Sequence, residues 1–301
     1  MDLKGSSSNR LSAADWTLKS ILSLGKPLKR VHRVSASLPK DELLAIIQKF
    51  EYQGLPLVIE GWHQYPSWSA NVLNPDWLAN KYTEPLPVCN VYSMEDKRMP
   101  IAELLSKYSA GKEYARPEGL IDSERWYGKH LPFPPEWDEQ LRILPSEVLP
   151  LGVGDTFPYT DRKVTVCYLG VGDTYTPAHK DSSASTGQNL MLGDILDSGK
   201  TSSFWFLTSS GDSDAASEWF RRSLHQDLDL GSHTITLDEF KTANFPIYVC
   251  QQKLGDMVII PRMSCHQVVN HGGISLKVAW SRMSIFSLEA ALLYELPVYH
   301  R

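Results

Sequence analysis

Lys163-Val164-Thr165-Val166-Cys167-Tyr168-Leu169-Gly170 reads as a β-strand: β-branched and aromatic residues follow one another without a charge after Lys163, and a glycine ends the run. It marks a change of character in the chain. Downstream, apolar runs predict further strands near residues 187–193, 202–208, 247–251, 256–260 and 274–283. Turn signals part them at Gly172-Asp173, Gly193-Asp194, Gly255-Asp256 and Gly272-Gly273. Short strands at such spacing predict a mainly β fold, a barrel or jelly roll, with helical decoration supplied mostly by the first half.

Upstream, residues 1–20 are polar and serine-rich and are expected to form a flexible tail. The basic run Lys26-Pro27-Leu28-Lys29-Arg30-Val31-His32-Arg33 is expected to be a solvated, irregular segment. Helical spacing over residues 40–50, with Asp41 near the start and Gly54 after the end, precedes a buried strand at Leu55-Pro56-Leu57-Val58-Ile59. Short helices are expected at 75–82, 100–108 and 135–143, with a strand at 88–92. Further helices are expected at 215–225 and 237–242. A closing helix over 287–296 places Leu288, Ala291, Leu292 and Tyr294 on one apolar face. The domain reading is therefore a tail at 1–20, an α+β extension at 21–155, and a barrel core with closing helix at 156–301.

Composition narrows the function classes. Of 301 residues, 42% are hydrophobic and 22% charged, which fits a globular chain, and no apolar run reaches the roughly 20 residues of a membrane span. Met1-Asp2-Leu3-Lys4-Gly5-Ser6-Ser7-Ser8 lacks the apolar stretch of a secretory signal, so none is expected. The net charge of -5 gives no indication of direct nucleic-acid binding and is compatible with a basic peptide partner. Cys89, Cys167, Cys250 and Cys265 form no C-x-x-C pair, so they read as small buried hydrophobes in a reducing compartment.

The chemistry lies in Thr176-Pro177-Ala178-His179-Lys180-Asp181. Alternation along a strand sends His179 and Asp181 to one face, which is half of a metal site. The second imidazole is expected from His266, just after the buried run Gly255-Asp256-Met257-Val258-Ile259-Ile260-Pro261. His271, five positions on, would face the opposite way. Two histidines and one carboxylate cap one face of an octahedral metal and leave open positions, as in non-haem Fe(II) oxygenases. On the last strand Leu276, Val278 and Trp280 alternate with Lys277, Ala279 and Ser281. A lysine among small residues in an apolar run is costly unless it meets an anion. Arg282 falls on the outer face by the same parity. Thr176 and Asn189 carry groups that can hydrogen-bond a carboxylate or keto oxygen.

These segments resemble the jumonji C (JmjC) domain of Fe(II)- and 2-oxoglutarate-dependent oxygenases. The resemblance rests on the 176–181 motif, Gly187-Gln188-Asn189-Leu190-Met191, and the 255–261 run with His266-Gln267-Val268. Leu276-Lys277-Val278-Ala279 is most similar to the branch of histone H3 lysine-nine demethylases. Gly54 to Trp62 and Tyr127-Gly128-Lys129 extend the similarity over about residues 50–296. The resemblance implies a double-stranded β-helix of the jelly-roll or cupin type. It implies Fe(II) on His179, Asp181 and His266, 2-oxoglutarate on Thr176, Asn189 and Lys277, and O2 as co-substrate. It also places Tyr168 in a methyl-lysine pocket. Some members carry the 2-oxoglutarate lysine elsewhere; the corresponding place before the motif is Gly170 here, and Lys200 falls in an expected loop.

The expected function is oxidative demethylation of methyl-lysine in histone tails, in the nucleus, with chromatin-associated partners and no membrane. Stable hydroxylation of a protein side chain or an RNA base on the same fold is the alternative. An inactive chromatin-binding JmjC protein is the third reading, and a metal-binding cupin of unrelated function a distant fourth.

Overall fold

The computed structural model describes residues 11–109, 124–137, 165–194 and 201–295. Among the described residues fourteen strands run in chain order: β1 Leu28–Arg30, β2 His32–Ser35, β3 Leu57–Glu60, β4 Leu86–Asn90, β5 Glu95–Met99, β6 Trp126–Pro132 and β7 Thr165–Gly170, then β8 Tyr175–His179, β9 Thr186–Asp194, β10 Ser202–Leu207, β11 Ile247–Gln252, β12 Met257–Ile260, β13 His266–His271 and β14 Ser275–Arg282. They form a five-stranded sheet, β1-β11-β10-β13-β8, and a nine-stranded sheet, β2-β3-β12-β9-β14-β7-β6-β4-β5.

The two sheets share an inner apolar layer. Trp205, Leu207, Cys250 and Val268 of the smaller sheet meet Val58, Val258 and Ile260 of the larger. The strands that read as unbroken apolar runs are buried on both faces, as helix-covered sheets require. In β12, Met257 and Ile259 pack outward while Val258 and Ile260 pack inward. In β10, Phe204 and Phe206 pack outward against the aromatic cluster of Trp219, Phe220, Phe240 and Phe245, while Trp205 and Leu207 face in. The outer face of the larger sheet is covered from helices Lys40–Gln53, Pro75–Lys81 and Ile101–Ser109 through Leu43, Ile47, Leu78 and Leu104. The first of these helices ends at Gly54, whose φ of 64° and close approach to Ser210 suit glycine alone. This is the expected jelly-roll architecture with helices on both outer faces.

Several expectations are corrected. Residues 11–20, read as tail, are packed: Ala13 is fully buried and donates its N–H to Asp173, and Trp16 sets its ring edge-on to Phe204 and Phe206. The basic run is two short strands, not an irregular segment. β1 pairs in parallel with β11 and β2 with β3, while Leu28 and Val31 are buried and Arg33 bridges Glu60 and Asp256. β5 and β6 were not expected; β5 is an edge strand with four exposed residues and no apolar periodicity. The closing helix starts at Ile285, capped by Ser284, and runs through a π turn over Ala291–Glu295. Of its expected apolar face only Ala291 is buried, while Leu288, Leu292 and Tyr294 are exposed. The buried contact is made by Ala290 and Ala291 against Ala184. The expected helix at 135–143 lies outside the described residues beyond Trp137, and so does Lys200. Among the described residues no helix is long and apolar enough to cross a membrane.

Candidate metal and co-substrate site

Antiparallel pairing of β8 with β13 sets His179 directly opposite His266, so the two imidazoles are brought together by register. Their ring centroids lie 4.2 Å apart. Asp181 comes from just beyond the end of β8, where it precedes a 3-10 turn over Ser182–Ala184, so it shares the cavity without lying on the strand. Its Oδ1 is 3.9 Å from His179 Nε2 and 3.7 Å from His266 Nε2. These separations exceed hydrogen-bond range. The three ligand atoms lie within 4.8 Å of one another, a spacing that one cation can share.

The protonation pattern also suits a metal. His179 Nδ1 lies 2.9 Å from Pro177 O and His266 Nδ1 lies 3.1 Å from Ser264 O. A carbonyl only accepts, so each Nδ1 carries the proton and each Nε2 presents a lone pair to the cavity. Burial, followed by the neighbouring His266, holds His179 below its usual pKa and keeps it a neutral ligand. Gly187 completes the arrangement. A Cβ there would fall 2.4 Å from Asp181 Oδ2, so its hydrogen leaves the space that the carboxylate occupies.

These side chains line a cavity of about 430 Å³ between the sheets. Its wall includes each residue expected at the site: Thr176, His179, Asp181, Asn189, His266, Lys277 and Tyr168. The parity expected on β14 holds. Leu276, Val278 and Trp280 belong to the outer core, Lys277, Ala279 and Ser281 face the cavity, and Arg282 reaches out to Glu51. Lys277 is 2% exposed, and its Nζ donates to Asn270 Oδ1 at 2.6 Å. Burial lowers its pKa to about 7. Among the described residues no carboxylate pairs with it, so the ammonium is a buried cation with one neutral acceptor and an open cavity beside it. That is the environment an anion completes.

His271, the competing histidine, sits at the far end of β13 beside Ser202 Oγ and takes no part in the cluster. Tyr168 stands opposite Lys277 across the β7–β14 pair. Its ring is 5.6 Å from His130 and 6.2 Å from Tyr127, and burial raises its pKa, so it is a neutral phenol. Among the described aromatic residues, Tyr127, Tyr168 and Trp205 line the cavity, Trp126 packs in the outer core, and Trp280 packs in the outer core while also bordering the cavity.

Sequence reasoning missed two contributors, Asn270 and Gln252, and gave Trp205 and Tyr127 no defined role. Asn270 accepts from Lys277 and from Ser203 Oγ and donates to Thr174, so it orients the lysine. The alternation His266, Val268, Asn270 was a signal that could have found it. Trp205 stacks on His266 at 6.1 Å and 22°. Tyr127 is hydrogen-bonded to Thr176 and Asn270. Gln252 contacts Asn189 from the neighbouring sheet, and no local pattern announces it.

The donor set fits Fe(II), and the buried Lys277 with Asn189 and Thr176 fits a small dicarboxylate such as 2-oxoglutarate. Comparison with known proteins agrees. Residues 166–281 match the family described as "JmjC domain, hydroxylase". The chain is also 32% identical over 256 residues to C-module-binding factor A of Dictyostelium discoideum, an alignment covering 81% of this chain and 24% of that protein. The chain thus spans about a quarter of the length of this relative.

Proposed function

We propose that the chain, whose residues 166–281 match the JmjC domain family, is an Fe(II)- and 2-oxoglutarate-dependent dioxygenase that demethylates N-methyl-lysine in histone tails. The observation that carries the reading is one cavity holding both a His-Asp-His cluster and a buried lysine with no carboxylate partner among the described residues.

When bound, Fe(II) and 2-oxoglutarate supply the activation of O2, with oxidative decarboxylation of the co-substrate to succinate and CO2. The chain's own residues hold and orient. His179, His266 and Asp181 present three ligand atoms on one side and leave the cavity side open. Lys277, held by Asn270, would neutralise a carboxylate of the co-substrate, and Thr176 and Asn189 would hydrogen-bond its oxygens. The Tyr127, Tyr168 and His130 rings offer an apolar, electron-rich wall to a methylated ammonium. Hydroxylation of an N-methyl group gives a hemiaminal that collapses to formaldehyde and the amine. A basic histone tail as partner, chromatin-associated proteins and a nuclear site of action belong to this reading.

The second reading is stable hydroxylation of a protein or RNA, favoured by the description of the matched domain as a hydroxylase. Mass spectrometry of a methylated histone-peptide panel, incubated with Fe(II), 2-oxoglutarate and ascorbate, separates the two. Loss of one CH2 with release of formaldehyde supports demethylation. Gain of one oxygen supports the second reading, and no mass change on any peptide removes histone tails as substrate.

A further inference from the structure

Resting on the reading of Asn189 as a co-substrate ligand, we propose that Gln252 is the positioning residue that decides which end of the Asn189 amide faces the cavity. A primary amide is nearly symmetric in shape, so the wall around Asn189 would accept either its NH2 or its C=O. The hydrogen-bond chain behind it removes that freedom.

The chain starts at Trp205. An indole N–H donates and never accepts. Trp205 Nε1 lies 2.8 Å from Gln252 Oε1, so the Gln252 oxygen must point at the tryptophan. Its NH2 is then turned the other way, where it finds only acceptors: Asn189 Oδ1 at 3.0 Å, Asn189 O at 2.9 Å and Asp256 O at 3.1 Å. Asn189 Oδ1 is thereby fixed as an acceptor, and Asn189 Nδ2 is left as a donor. Among the described residues no hydrogen bond engages Nδ2, and Asn189 lines the cavity. The direction of every bond follows from one donor-only group. The relay also crosses the barrel: Trp205 and Gln252 belong to the five-stranded sheet and Asn189 to the nine-stranded one.

The consequence is selectivity by polarity. With Nδ2 facing in, the wall donates to a carboxylate or keto oxygen; with the amide reversed, it would present a carbonyl oxygen to an anion. Gln252 is fully buried and is not among the residues that line the cavity, so it reaches the site only through its neighbours Asn189 and Trp205, and of these two Asn189 carries the amide whose direction it sets.

The test is calorimetric binding of 2-oxoglutarate to Mn(II)-loaded protein, comparing wild type with Gln252→Leu and Gln252→Met, each alone and combined with Asn189→Ala. We expect Kd to rise about tenfold in both single variants, the size of one lost hydrogen bond to a charged group. Mn(II) affinity should stay within about twofold, because the imidazoles of His179 and His266 are held by Pro177 O and Ser264 O and, among the described residues, no hydrogen bond links Gln252 to a metal ligand. In the Asn189→Ala background either substitution should add less than about twofold, the non-additivity of residues acting as a unit. Unchanged Kd in the single variants, an equal loss of metal affinity, or the same loss with and without Asn189 would overturn the proposal. The underlying reading fails separately: if Asn189→Ala itself leaves Kd unchanged, Asn189 is not a ligand and Gln252 positions nothing.

Discussion

Co-substrate binding should be coupled to proton uptake by Lys277. In the ligand-free protein, burial holds this lysine at a pKa of about 7, so it is half-charged near neutrality and mostly neutral above. A bound dicarboxylate supplies the opposite charge that the cavity lacks and raises the pKa, so the complex keeps the proton. The sign follows: the ammonium that attracts the ligand is present below the free pKa and lost as pH rises through it. While the pH stays below the pKa of the complex, the apparent Kd should grow as one plus the ratio of neutral to charged lysine. From about pH 6 to about pH 8 that is close to a tenfold weakening. The other groups lining the same cavity do not mimic this. The phenols of Tyr127 and Tyr168 are pushed up by burial and stay neutral, His179 and His266 are held as ligands when the protein is metal-loaded, and burial followed by Lys129 holds the third cavity histidine, His130, below its usual pKa. Calorimetry of 2-oxoglutarate binding to Mn(II)-loaded protein, in two buffers of different ionisation enthalpy, measures both the affinity and the protons. Near pH 8 the uptake should approach one proton per ligand. Lys277→Arg, whose guanidinium stays charged throughout, should abolish both uptake and slope. A flat affinity in wild type, or the same slope in Lys277→Arg, would refute the reasoning.

Lys277→Met should abolish 2-oxoglutarate binding yet stabilise the ligand-free fold by about 1–4 kcal/mol in chemical denaturation, because it removes a buried cation while Asn270 Oδ1 keeps its bond from Ser203. Gly187→Ala should force the Asp181 carboxylate out of line and weaken Mn(II) binding at least tenfold, read by metal titration, with the fold retained by circular dichroism. Leu292→Gln should shift stability by no more than about 0.5 kcal/mol, since the side chain is exposed and the closing helix is seated by Ala290 and Ala291.

Asp181, just past the end of β8, reaches the cavity from the turn and not by the strand alternation expected to place it, but the two strand histidines and the buried lysine were legible because each is a polar residue in a β-prone run. Such a residue survives there only when a partner or ligand compensates it, and strand parity says which way it points. His266 was separated from His271, and Lys277 from Arg282, by that parity alone. The strands β1 and β2 were hidden because charged, short segments have little strand propensity of their own; β11 and β3 supply the pairing that holds them. Trp16 gave no warning that residues 11–20 would dock, since its partners Phe204 and Phe206 lie far along the chain. The apolar face of the closing helix misled because periodicity reports which residues share a face, not whether that face is covered. Gln252 was invisible for a related reason: its partners lie on β10, on β9 and before β12, and only the closed barrel brings them together.

The central claim is that His179, Asp181, His266 and Lys277 form one working site, and Fe(II)-dependent conversion of 2-oxoglutarate to succinate tests it most directly. Purified protein should form succinate, coupled or uncoupled from any second substrate, while His179→Ala and Lys277→Met should fall to the level of Fe(II) alone. Absence of succinate from the wild-type chain, or turnover that survives either substitution, would contradict the account.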